Sequence, residues 1–65
     1  MFEVTVGNCI RQKIETSEEV GDRVMLSTDK LLLAQRIIEI CKLMRMGDVF
    51  IHEIDEIKIK KIEQG

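Results

Sequence analysis

The sequence predicts a small α+β protein in which one long helix, about residues 28–46, packs on a small antiparallel sheet in the order β-β-(β)-α-β-β. Three observations predict it. Apolar residues alternate with period two near both ends of the chain, they recur with helical period in the middle, and glycine with polar residues separates these regions. The 65 residues make a single domain, 1–65, because so short a chain buries only about 60% of its unfolded surface and cannot divide that core. At 45% hydrophobic and 34% charged, the chain is apolar enough to fold.

Residues 2 to 6 alternate strictly, with Phe2, Val4 and Val6 on one face and Glu3 and Thr5 on the other, as in a half-buried strand. Gly7-Asn8 is a turn pair. Alternation then resumes with Ile10 and Ile14 opposed to Arg11, Lys13 and Glu15, which predicts a β-hairpin over residues 2–16. Thr16 to Asp22 is polar and contains Gly21, so it reads as a loop, and Arg23 to Leu26 as a short third strand.

Ser27-Thr28-Asp29 offers side-chain oxygens to the unpaired N–H groups of a first helical turn. Asp29 suits the positive end of the helix dipole, and Lys42 and Arg45 suit the negative end. Gly47 supplies the C-terminal stop. Beyond it, Asp48 to His52 and Ile57 to Ile62 are strand-like. Apolar parity is odd at Val49 and Ile51, even at Ile54, and odd again at Ile57 and Ile59. This reset places a hairpin turn at Glu53–Glu56, with a bulge in one long strand or a helix from Glu53 to Gln64 as the alternatives.

Spacing the helix at 100° per residue gathers Ile40, Leu33, Met44, Ile37, Cys41, Ala34 and Ile38 into an arc of about 160° that faces the sheet. Ile37, Ile40 and Met44 are the expected centre of the core. Leu32 and Leu43 fall outside the arc beyond Arg36, and Met46 lies on the polar strip with Gln35, Glu39 and Lys42. A helix with so little polar circumference needs cover on more than one side. Leu32, Leu43 and Met46 are therefore the candidate interface, to a second copy in a homodimer or to a partner protein.

Residue chemistry points away from an enzyme. Cys9 and Cys41 are 32 positions apart and match no zinc or thiol-redox pattern; they read as two reduced cytoplasmic thiols, with a single disulfide as the alternative. His52, the one histidine, stands beside Glu53 and Asp55 with no nucleophile placed near it by sequence. Glu18, Glu19 and Asp22 lack the alternating oxygen ligands of a calcium loop, and Gly7 and Gly21 build no phosphate cradle. No catalytic residue, metal or cofactor is expected. The longest uninterrupted apolar run, Leu31–Ala34, is far too short to cross a membrane, and the N-terminus lacks a basic start and an apolar stretch, so a cytoplasmic location is expected.

The net charge of −2 conceals a division, with the basic excess on the helix. Arg36, Lys42 and Arg45 on the helix and Lys58, Lys60 and Lys61 on the last strand are the candidate nucleic-acid contacts. Arg23-Val24-Met25-Leu26 leading into a helix, then Met46-Gly47-Asp48-Val49 and two strands ending in Lys58-Ile59-Lys60-Lys61, resembles swapped-hairpin transition-state regulators and antitoxins over residues 23–61. That resemblance implies dimeric DNA binding. The chain departs from the pattern in its longer helix and in lacking a proline after the strand and a basic loop. The leading functional expectation is accordingly a small cytoplasmic protein-interaction module, a regulator, adaptor or subunit, and the alternative is a dimeric DNA-binding transcriptional regulator or antitoxin-like protein.

Overall fold

The computed structural model describes residues 1–8 and 10–63. Its elements are β1 (Phe2–Val6), β2 (Gln12–Ile14), α1 (Ser17–Thr28), α2 (Leu31–Leu43), β3 (Val49–His52), a 3-10 turn (Glu53–Asp55) and β4 (Ile57–Lys61). The strands form one antiparallel sheet of order β2-β1-β4-β3, and the two helices pack together over one of its faces. The α+β class and the antiparallel sheet are as the sequence predicts; the helical part differs.

Register explains which face is covered. Phe2 pairs with Ile14, Val4 with Ile59, Val6 with Ile57, and Ile59 also with Phe50, so these residues share one surface, whereas Val49 and Ile51, paired with Lys60 and Lys58, are exposed on the opposite face. On it sit Val20 and Val24 of α1 and Ala34, Ile37 and Cys41 of α2, all buried. Met44 is buried as expected, whereas Ile40 is only half-buried at the margin of the core.

The first correction concerns residues 16–26, read from sequence as a loop followed by a third strand. They form α1 instead. Thr16 is its N-cap: the Thr16 hydroxyl oxygen accepts the Glu19 N–H at 3.2 Å and donates to the Glu19 carboxylate at 3.1 Å. Glu18 and Glu19 occupy the first turn, where negative charge meets the positive end of the helix. Val20 and Val24 stand one turn apart on the buried side. The element order is therefore β-β-α-α-β-β, and the segment that carries the resemblance to swapped-hairpin regulators at residues 23–26 is helical.

The second correction is that one helix over 28–46 becomes the later part of a helical hairpin. Ser27, Thr28 and Asp29 close α1 rather than opening α2. Asp29 adopts the left-handed conformation at φ 56°, its N–H donates to the Met25 carbonyl at 2.8 Å, and the Thr28 hydroxyl donates to the Val24 carbonyl at 2.8 Å. α2 begins after Lys30, which makes no side-chain cap, and ends at Leu43 because Met44 is extended. Gly47 is not the helix stop. At φ 89° it turns the chain into β3, and its N–H donates to the Lys61 carbonyl at 2.9 Å.

Both hairpins form. In the first, Ile10 leaves the sheet and is exposed, and Gln12 takes the place opposite Val4. In the second, the parity reset is the 3-10 turn, closed by Glu56 in the left-handed conformation; among the described residues the bulge does not occur, and β4 stands in the place of the alternative helix. The second cover that α2 requires comes from α1, where Gly21 lies against Ile38.

Candidate interaction surface

Opposite the flank that meets α1, α2 leaves apolar residues uncovered beside the edge of the sheet. Ile40, Leu43 and Met44 and, from the β3 side, Asp48, Val49 and Phe50 line an open groove of about 340 Å³. Leu43 is 82% exposed and Ile51 60%. The turn between α2 and β3 is held by Asp48, whose carboxylate accepts the Arg45 N–H at 2.9 Å and whose own N–H donates to the Arg45 carbonyl at 2.9 Å. Met46, on this turn, is exposed, and Leu32 lies exposed near the other end of α2, about 16 Å from Leu43 along the axis. β3 is an edge strand, so its backbone groups directed away from β4 have no strand partner among the described residues.

The cations singled out from sequence do not form one patch. Lys58 and Lys60 project from the sheet face that the helices leave bare, opposite Thr5 and Glu3. Lys61 turns to the other side, its ammonium 5.5 Å from the centre of the Phe2 ring. Arg36 is exposed on α2, Lys42 reaches Glu18 of α1 at 3.3 Å, and Arg45 enters the turn. Glu18 is thereby held below the usual carboxylate range, first by its own backbone N–H, then by Lys42 and Ser17. Arg11 and Lys13 are not among those candidate contacts, yet both lie with Lys58 and Lys60 on the bare face. Arg11 joins Lys58 and Lys60 around one pocket and bonds Glu3 at 3.1 Å, and Lys13 pairs with Glu3 in the register. Strand register is the signal that gathers these four, and it becomes legible only once β1 is known to lie between β2 and β4.

Comparison with protein-family models, with curated proteins and with solved structures gave no match.

His52 is engaged locally. Its Nε2 lies 3.2 Å from the Asp55 carboxylate, which also accepts from the Lys30 ammonium at 2.9 Å, and its ring stacks with Phe50 at 6.4 Å between centroids. Cys41 is fully buried, and desolvation pushes its thiol up to about 11 against the opposing charge of Lys61. A thiol protonated at neutral pH is a poor nucleophile and metal ligand. The readings made for Cys9, disulfide included, lie outside the described residues. Among the described residues there is no group of three or more His, Cys, Asp or Glu placed to hold a metal ion, and no helix is long and apolar enough to cross a membrane.

Proposed function

We propose that this chain is a small cytoplasmic protein-interaction module, acting as a homo-oligomer or on a partner protein, with no chemistry of its own. One observation carries the reading: the exposed apolar groove between the end of α2 and β3 runs beside an unpaired strand edge. An edge of this kind is a template for another chain, and natural proteins commonly blunt it with charge or proline. Here the edge strand is Val49-Phe50-Ile51-His52, with no proline, Asp, Glu, Lys or Arg among the four. Leu43 and Met46 supply apolar area near it, and Ile51 adds to it from the bare face of the sheet. Sedimentation at micromolar concentration, together with binding of extended peptides, tests the reading. Leu43→Glu should abolish whichever association is found, and association unaffected by this change removes the groove from the argument.

A second reading, a dimeric DNA-binding regulator, is favoured by the bare sheet face. Arg11, Lys13, Lys58 and Lys60 gather there, and within the strands Glu3 is the sole acid on that face. Duplex DNA binding that tightens steeply as salt falls and is lost on changing Lys58 and Lys60 to Ala would move this reading to first place.

A further inference from the structure

We infer that the partner of the α2 flank is a second copy of this chain, set antiparallel along α2 about a two-fold axis. The inference rests on the interaction-module reading and names its partner. Leu32, Arg36, Glu39 and Leu43 are all exposed, and at 100° per residue they fall within an arc of about 60° on α2. Their spacing of four, three and four residues is the same read in either direction. When two such helices run antiparallel with the axis passing between Ile37 and Ile38, Leu32 of each copy meets Leu43 of the other and Arg36 of each meets Glu39 of the other.

The stripe is thus its own complement in shape and in charge. A surface selected for an unrelated protein has no reason to be complementary to its own reverse, whereas a two-fold homodimer contact requires it. The charges are also free to serve. Neither Arg36 nor Glu39 is in an ion pair among the described residues, while the neighbouring Lys42 is engaged with Glu18. Two Leu–Leu contacts flank two Arg–Glu pairs, so the apolar ends supply affinity and the central charges set direction and register. The groove formed by Ile40, Leu43 and Met44 continues from one end of the stripe toward β3, which extends the contact beyond the helix.

A charge-exchange series followed by sedimentation equilibrium tests this, with circular dichroism confirming that each variant is folded. The native chain should dimerise. Arg36→Glu and Glu39→Arg should each weaken the dimer about tenfold or more, since each replaces two attractions by two repulsions, and the double variant carrying both changes should recover most of the affinity. A monomeric native chain overturns the inference, yet the interaction-module reading survives if a different protein or peptide binds the groove in a Leu43-dependent way. A dimer lost on Leu43→Glu but indifferent to both charge changes overturns the antiparallel arrangement alone. A dimer indifferent to Leu43→Glu overturns both.

Discussion

Gly21 of α1 lies against Ile38 of α2 with no space between them for a β-carbon: one built on Gly21 would overlap Cγ1 and Cδ1 of Ile38 and stand 3.4 Å from the Ala34 carbonyl oxygen. The two helices, of 12 and 13 residues, make their close approach here. This contact gives α2 its second buried side within the chain.

Gly21→Ala should therefore destabilise the protein by about 1 kcal/mol, even though alanine is the better helix former by a similar amount. In an Ile38→Ala background the same change should be neutral or stabilising, because the obstruction is gone. Urea unfolding of the four chains measures the coupling, and equal costs in the two backgrounds would show that the helices do not meet at this pair.

Ile37 is fully buried on the inner side of α2 and Ile40 lies at the margin of the core. Ile37→Ala should cost about 2–5 kcal/mol and Ile40→Ala distinctly less. Chemical denaturation that ranks Ile40 above Ile37 would show the face of α2 to be rotated.

Thr16 caps α1 through the Glu19 N–H. Thr16→Ala should lower stability by about 1 kcal/mol, and Thr16→Ser or Thr16→Asp should keep most of it. Thermal unfolding with no difference between alanine and serine at this position would place the start of α1 elsewhere.

Burial of Cys41 has a pH signature. Its thiol is pushed from an ordinary 9.0 to about 11 in the folded chain, so above pH 9 the unfolded chain releases a proton that the folded chain retains. The thiol's contribution to stability is fully present below pH 9 and is lost as pH rises toward about 11. The difference in unfolding free energy between the native chain and Cys41→Ala, measured at pH 8 and pH 10.5, should narrow at the higher pH. An unchanged difference would mean that the thiol is open to solvent.

The two β-hairpins were legible in the residues because their signal is local. Phe2-Val4-Val6 alternate over five positions, and the break in apolar parity at Ile54 marks a turn whatever lies around it. The buried arc of α2 was legible for the same reason, since Ala34, Ile37 and Cys41 repeat at helical spacing. The exposed Leu32 and Leu43 could also be read, as residues outside that arc.

What the sequence by itself determined is thus the two β-hairpins, the apolar face of α2 and the existence of a sheet; tertiary structure decided α1, which stands where a third strand is expected from sequence. Thr16-Ser17-Glu18-Glu19 carried a local capping signal, but Gly21 reads as a loop breaker until Ile38 is seen filling the space beside it, and Val24-Met25-Leu26 suits a strand as well as a helix. Val20 and Val24 become a helical face only because α2 and the sheet bury them together. The gathering of Arg11, Lys13, Lys58 and Lys60 likewise depends on β1 pairing with both β2 and β4, a register between segments more than forty residues apart that no local pattern encodes. Periodicity records how one segment meets its surroundings, and burial against a distant segment chooses among the states that periodicity leaves open.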